Sequence, residues 1–146
     1  IQHAGIALGV SGTAAHVLHL QPATAPTYNG FGDITRNYSA ITGACMATRL
    51  ATFEEVGGFD PRFAIDFNDV DFCLKLIARG YRNVYTPHAE LYHFENQSVT
   101  RKVQNPAERD LFIARWRAYF DRDPWYNPNL SRERANFEAA AGKWPV

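Results

Sequence analysis

One amphipathic helix in the middle of the chain constrains the fold more than any other feature of the sequence. Between Asn68 and Arg79 apolar residues recur at helical spacing, and Gly80 follows at the position where helices commonly end. The apolar face consists of Val70, Cys73, Leu74 and Ile77. The pattern therefore predicts a helix over 68–79 that packs this face into a core and carries polar residues in its first turn.

The rest of the sequence predicts an α/β arrangement of short strands. β-Branched and small residues bounded by turn formers indicate strands over 5–10 and 39–49. The segments 81–87 and 89–93 are predicted to be two short strands or one strand interrupted by Pro87. The segment 21–37 is rich in Pro, Gly and Asn and is predicted to be a long surface loop. A second polar loop is predicted over 96–104.

Two further helices are predicted. Residues 50–56 have helical spacing and stop at Gly57-Gly58. A longer helix is predicted from three residues at its start: Asn105 as N-cap, Pro106 at the first position and Glu108 as capping-box partner. It is expected to run to about residue 120 and to be followed by a turn-rich tail.

Composition and charge exclude several classes of partner. Of the 146 residues 46% are hydrophobic, which supports a packed core. Fifteen Lys and Arg balance fifteen Asp and Glu, so no net field attracts nucleic acid or an anionic membrane. No apolar run approaches the roughly 20 residues that cross a bilayer. Cys45 and Cys73 lie in apolar stretches, and we expect both to be reduced and buried in a cytoplasmic protein.

Two carboxylates, Asp69 and Asp71, fall in the first turn of the central helix. Acidic residues at this position bind free N–H groups and complement the helix dipole, which accounts for most such pairs. A carboxylate fixed at a helix terminus also suits a general base. The local sequence leaves both interpretations open.

Five sequence blocks follow one another along the chain. They are Thr42-Gly43-Ala44-Cys45, Phe53-Glu54-Glu55-Val56-Gly57-Gly58-Phe59-Asp60, Asn68-Asp69-Val70-Asp71-Phe72-Cys73-Leu74-Lys75-Leu76, Gly80-Tyr81 and Pro87-His88-Ala89-Glu90-Leu91-Tyr92-His93. In this order they resemble the second half of family-2 inverting glycosyltransferases with the GT-A fold. The tail also resembles the ending of bacterial family-2 enzymes that build surface polysaccharides such as O-antigen; it comprises Trp116 and Asp123-Pro124-Trp125-Tyr126-Asn127-Pro128-Asn129-Leu130-Ser131.

The resemblance implies a fold and a division of the chain. The fold would be the C-terminal half of a GT-A, Rossmann-like domain: a mixed sheet with flanking helices, plus a C-terminal helical extension. Residues 1–104 would be the acceptor and catalytic-base half, and 105–146 the C-terminal helix and tail. The half that grips the nucleotide, with its DxD motif, would precede residue 1. The chain is then expected to be an inactive piece of a cytoplasmic enzyme, attached to the inner membrane, if at all, through the rest of the protein.

The resemblance also implies a reaction, in which an acceptor hydroxyl attacks the anomeric carbon of a nucleotide-activated sugar with inversion. Asp69 matches the general base of the family. Asn68 stands where Glu is commoner and is a candidate for substrate binding, as are Gly43 and Ala44, although the glycine also suits simple strand packing. The donor would be a nucleotide sugar and the acceptor a carbohydrate or a lipid-linked sugar. Rhamnose, galactose and glucose all remain open as the transferred sugar.

A metal ligand follows from the same resemblance. His93 matches a histidine that joins the DxD carboxylates around Mg²⁺ or Mn²⁺ in many GT-A enzymes; an ordinary hydrogen-bonded histidine is the competing interpretation. The metal is expected in the full-length enzyme and not in this fragment. Asp71 is expected to stabilise the helix start or pair with an arginine, and Asp66 is a second candidate base.

Other interpretations are a carbohydrate-binding or interaction module that kept the fold without turnover, and a small hydrolase using Asp69 and His93. The absence of a G-x-S-x-G nucleophile motif disfavours the hydrolase. The DxD sequences at 69–71 and 121–123 lie at helix ends, in the wrong order relative to the Gly-Gly-Phe-Asp block, and neither is interpreted as the DxD motif of the family.

Overall fold

The computed structural model describes residues 1–94 and 104–141. Within these ranges the chain is a mixed α/β structure. The helices are α1 (Leu50–Glu55), α2 (Asn68–Ala78) and α3 (Pro106–Asp121), and the strands are β1 (Ile6–Val10), β2 (Thr13–His16), β3 (Arg36–Tyr38) and β4 (Asn83–Tyr85). No helix in the described ranges has the length and apolar character needed to span a membrane. The predicted loop over 96–104 lies outside the described residues except for Gln104.

The strands form two antiparallel pairs. β1 pairs with β2 through a tight turn at Ser11 and Gly12, whose φ angles of 51° and 80° are both positive, as the favoured hairpin turns require. β3 pairs with β4, and a bridge between Ile6 and Ala40 links the two pairs. The α/β class is confirmed. The expected mixed sheet is wrong for the described residues, because each described ladder joins only two antiparallel strands.

The predicted strand over 39–49 is also wrong. The chain leaves the bridge at Ala40 and turns into a short 3-10 helix, Gly43–Cys45, whose N-cap Thr42 accepts a hydrogen bond from the Ala44 amide at 3.4 Å. The amide of Gly43 donates to Asp69 at the start of α2 instead of to a neighbouring strand. A side-chain acceptor from a distant part of the chain thus replaces the ladder that the composition predicted.

The second strand predicted after α2 does not form. β4 covers only residues 83–85, and residues 89–93 have no strand. Leu91 and Tyr92 are 72% and 95% exposed, so this segment has no buried face against which a strand would pack.

The core consists of two clusters. One joins β1, α2 and α3 and contains Leu8, Leu74 and Phe112, all fully buried; the other lies under the tail and includes Val10, Val17 and Phe137. The predicted helix over 68–79 is confirmed, with Gly80 at φ +86° where the chain leaves α2. Cys73 lies inside the first cluster, and burial raises the pKa of its thiol to about 12. Cys45 is exposed, contrary to expectation, because the 3-10 helix that carries it lies at the surface.

The start of α3 is confirmed together with its cap. Asn105 Oδ1 accepts from the Ala107 amide at 3.1 Å, and Asn105 Nδ2 donates to Glu108 Oε1 at 2.9 Å. In a reciprocal capping box the Asn105 amide would donate to Glu108. Here it donates to Asp66 Oδ2 at 2.6 Å. Glu108 Oε2 instead accepts from the amides of Ile65 and Asp66. These bonds fasten α3 to the loop that leads into α2.

Candidate active site

The candidate site begins at the residue before α2. Phe67 has φ +64°, in the left-handed region that L side chains avoid at a cost of about 1 kcal/mol or more. Its ring stacks on Phe112 of α3, with centroids 4.5 Å apart and planes 10° from parallel. This packing holds the strained residue in place. The backbone therefore turns abruptly into α2, and the next two residues stand at the helix entrance.

Asp69 occupies that entrance as a half-buried carboxylate. Its Oδ2 accepts from the Gly43 amide at 2.7 Å and its Oδ1 from the Val70 amide at 2.8 Å. It lines a cavity of about 160 Å³. Backbone amides orient this carboxylate, and among the described residues no cation forms an ion pair with it.

The predicted substrate-binding residues gather around Asp69. An added Cβ on Gly43 would lie 3.3 Å from Asp69 Cβ, so the two residues are in close contact. Asn68 Oδ1 accepts from the Asp69 amide at 2.7 Å, and Ala44 is exposed beside Gly43. The structure thus brings four of the predicted residues to one place, although they come from segments 26 residues apart.

Asp71, two residues further on, has a different environment. It is fully buried, and its Oδ1 accepts from Arg115 Nη1 at 2.7 Å and from Trp116 Nε1 at 2.9 Å. Lys75 Nζ lies 3.7 Å from the other oxygen. The expectation that Asp71 pairs with an arginine is confirmed. A carboxylate enclosed in this way ties helices together and is not available to a substrate.

Arg115 also reaches a second carboxylate, Asp60, at 2.8 Å. Hydrogen bonds from Arg62, and then from Arg115, hold the pKa of Asp60 well below its usual range. The Asp60 that ends the Gly-Gly-Phe-Asp block is therefore an anchor for α3.

Two histidines that the sequence did not single out lie beside the Asp69 site. His16, at the end of β2, lines the same cavity, and its Nδ1 lies 3.1 Å from Nδ1 of His3. The Thr42 amide donates to His3 Nε2 at 3.4 Å. Burial, and then the neighbouring His16, lower the pKa of His3 to about 3. In the sequence the only indication of this contact is that two histidines lie on either side of a glycine-containing hairpin. Whether their side chains meet depends on the register of the two strands.

His93 has a different placement. It is exposed and is not among the residues that line the Asp69 cavity. Within residues 1–94 and 104–141 no three His, Cys, Asp or Glu side chains come together as a metal site. The ligand role of His93 stays a prediction.

The second DxD sequence ends in a buried structural carboxylate. Asp123 accepts from the Leu8 amide, the Ser39 hydroxyl and the Trp125 amide, each at 2.7 Å. Asp123 is thus held by hydrogen bonds within the protein. Asp123 connects β1, the end of β3 and the tail.

A larger cavity of about 370 Å³ lies between α1, α2 and β4. Among the described residues its lining includes no carboxylate and no histidine; it consists of Ile41, Met46, Ala47, Thr48, Arg49, Thr52, Phe72, Cys73, Leu76, Tyr81, Arg82, Asn83 and Val84. Cys73 and Tyr81 are the acidic groups of this larger cavity, and the pKa of each is raised. The smaller cavity contains carboxylates and a histidine, the usual groups for proton transfer near neutral pH, and is therefore the candidate active site.

Comparison with known proteins finds similarity to proteins named for O-antigen biosynthesis and for rhamnosyl transfer. The chain is 37% identical over 135 residues to the O-antigen biosynthesis protein RfbC of Myxococcus xanthus, covering 90% of the chain and 10% of that protein. It is 38% identical over 61 residues to an N-acetylglucosaminyl-diphospho-decaprenol L-rhamnosyltransferase of Mycobacterium tuberculosis, covering 42% of the chain and 20% of that protein.

An uncharacterized protein of Sinorhizobium fredii is 38% identical over 153 residues, which cover all of this chain and 17% of that protein. The chain thus spans a fifth or less of the length of these three relatives. No family model and no solved structure matches it.

Proposed function

We propose that this chain is the acceptor-side part of an inverting glycosyltransferase of the GT-A fold that acts in surface-polysaccharide synthesis, with Asp69 as the general base. The observation that carries the proposal is the contrast between the two carboxylates at the start of α2. Asp71 is enclosed by Arg115 and Trp116, whereas Asp69 is held by backbone amides and lines a cavity. Of these two carboxylates, Asp69 is the one placed to take a proton from a bound molecule.

The proposed reaction is a direct displacement. Asp69 accepts the proton of an acceptor hydroxyl as the hydroxyl oxygen bonds to the anomeric carbon of the donor sugar. The bond from that carbon to the phosphate oxygen breaks, and the nucleoside diphosphate leaves with the electron pair. Configuration at the anomeric carbon inverts because attack and departure take place on opposite faces.

The surroundings of Asp69 suit this role. The Gly43 amide fixes one carboxylate oxygen, so little reorganisation is needed before proton transfer. Because Gly43 has no side chain and is exposed, an acceptor sugar can approach the carboxylate over its backbone. Asn68, at the same helix entrance, offers an amide to that sugar.

The donor site and the metal belong to the rest of the enzyme. We expect the nucleotide-binding residues and the DxD carboxylates to lie in the remainder of the longer protein. His93 would be an additional ligand to Mg²⁺ or Mn²⁺. The isolated chain is accordingly expected not to transfer sugar.

The names of the relatives suggest the first substrates to test. An L-rhamnosyl nucleotide as donor and an N-acetylglucosaminyl-diphospholipid as acceptor follow from the name of the mycobacterial relative. Galactosyl and glucosyl nucleotides complete the donor set.

The experiment compares Asp69→Asn with the wild type in the complete gene product that contains this chain. The variant is expected to lower transfer by about a thousandfold, as for loss of a general base. Asp110→Asn is the matched control, since its side chain is 74% exposed on α3. An Asp69→Asn variant with wild-type turnover would overturn the base assignment. A wild type that binds sugars but transfers none of these donors would favour the non-catalytic binding module.

A further inference from the structure

We propose that residues 46–49 become a β-strand in the complete gene product, by pairing with an extended segment from the remainder of the longer protein that enters the larger cavity. The inference rests on the part of the proposed function that places this chain in a longer enzyme, and it adds a surface at which the remainder docks. It starts from a run of extended backbone that has no hydrogen-bond partner.

The segment 46–49 is extended but unpaired. Met46 has φ −134° and ψ 136°, and Arg49 has φ −70° and ψ 136°, both in the extended region. Among the described residues, nothing forms a hydrogen bond with the backbone of Met46, Ala47 or Thr48. Such a segment presents the same row of free N–H and C=O groups as the edge of a sheet, to which another strand can add.

This backbone lies at the larger cavity. All four residues of 46–49 line it. Because side chains alternate in direction along an extended chain, a run of consecutive lining residues means that the backbone itself forms part of the wall. At about 3.3 Å per residue this part of the wall is about 13 Å long, which matches a strand of about four residues.

The cavity also has an apolar lining that a strand could cover. Phe72, Cys73 and Leu76 of α2 line it and are buried. Tyr81 and Val84 line it as well and are 41% and 47% exposed, so apolar surface continues out to solvent. A segment with apolar side chains at alternate positions would bury this surface and pair with the free backbone groups at the same time.

The occupant is expected to belong to the same polypeptide. In the Sinorhizobium fredii relative the region that matches this whole chain is 17% of the protein, so most of that protein lies outside the region. A segment linked to the cavity binds at a high effective concentration, whereas a second copy must be recruited from solution. The sequence of 39–49 predicted a strand, and a partner from elsewhere in the polypeptide would complete it over 46–49.

Hydrogen exchange of the complete gene product, followed by mass spectrometry, tests the pairing. In an extended strand neighbouring amides point to opposite sides, so either the Ala47 amide or the amides of Met46 and Thr48 face the inserted segment. The amides that face it are expected to exchange about a hundredfold more slowly than those of an unstructured peptide. Exchange of all of 46–49 at the unstructured rate would overturn the proposal.

Two proline variants form a matched pair. Ala47→Pro and Thr48→Pro each remove one amide N–H and fix φ near −65°, which an extended segment tolerates. Because the two amides point to opposite sides, one variant should interrupt the pairing and raise the exchange of the remaining amides of the segment about tenfold. The other variant should leave them slow. Equal behaviour of the two variants would argue against a strand in the cavity.

Photocrosslinking identifies the occupant. Val84 lines the cavity and is partly exposed, so it is replaced by the photoreactive residue benzoylphenylalanine in the complete gene product. The expected crosslink joins position 84 to a segment of the same polypeptide outside these 146 residues. A crosslink to a second copy of the protein, or no crosslink, would contradict the assignment of the occupant.

Failure of the proposed function gives a different pattern. In that case Asp69→Asn keeps wild-type transfer, or no sugar nucleotide is turned over. Slow exchange over 46–49 and the crosslink from position 84 require no turnover, so they report on the docking surface whatever the enzyme assay shows.

Discussion

Arg115 Nη1 lies 2.7 Å from the buried carboxylate of Asp71 and thereby fastens α3 to the first turn of α2. The same guanidinium binds Asp60 through Nη2 at 2.8 Å. One side chain thus holds the loop before α2 and the helix itself in a fixed relation. The orientation of Asp69, two residues before Asp71, depends on this anchor.

Arg115→Leu is expected to destabilise the protein by about 3 kcal/mol, since removal of one partner leaves a buried charge on Asp71. Urea denaturation measures the loss. Arg117→Leu is the control on the same helix, because Arg117 and its partner Asp121 are both 74% exposed, and it should have little effect. Equal stabilities of the two variants would show that Asp71 does not depend on Arg115.

Asp123→Ala is expected to destabilise the protein by about 2 to 3 kcal/mol. It leaves the buried Leu8 amide and Ser39 hydroxyl without their acceptor. Thermal unfolding measures the change. Asp123→Asn keeps one carbonyl acceptor and should destabilise the protein less than Asp123→Ala does. An equally large destabilisation would mean that the charge of Asp123 matters and its acceptor oxygen does not.

Gly43→Ala is expected to lower sugar transfer about tenfold with little change in melting temperature. The added Cβ lies 3.3 Å from Asp69 Cβ, so the carboxylate must shift by a few tenths of an ångström, and catalysis is sensitive to small displacements. Turnover and thermal unfolding of the complete gene product check both parts. Transfer at the wild-type rate would argue against a role for the Gly43 contact in aligning the base.

Stability is expected to fall as the pH drops below about 6.5, with His3 as one cause. The pKa of His3 is about 3 in the folded protein against 6.5 for an ordinary histidine, so between these values the unfolded chain binds a proton that the folded protein does not. The free energy of unfolding should decrease by up to about 1.4 kcal/mol per pH unit.

The window from about pH 4.5 to 6 isolates this contribution, because carboxylates such as Asp60, whose pKa is held low, lose their stabilising effect only in more acid solution. His3→Asn should reduce the slope in this window. The same slope in wild type and variant would show that His3 is protonated in the folded state.

Local sequence determined those elements whose signals act over a few residues. The helix α2 follows from its apolar spacing and from Gly80, and the start of α3 follows from Asn105 and Pro106, because caps and periodicity depend only on near neighbours. The hairpin strand β1 was predicted for the same reason. The ordered blocks also placed Asp69 at a helix entrance.

Tertiary structure decided the rest. The segment 39–49 has strand composition, yet Gly43 forms a 3-10 helix because its amide finds the carboxylate of Asp69, 26 residues away. Asp69 and Asp71 look alike in sequence, and only the arrival of Arg115, 44 residues beyond Asp71, makes one structural and leaves the other available. The register of β1 on β2 likewise brings His16 to the cavity. Each of these outcomes depends on a hydrogen bond or ion pair between distant residues, which no local pattern encodes.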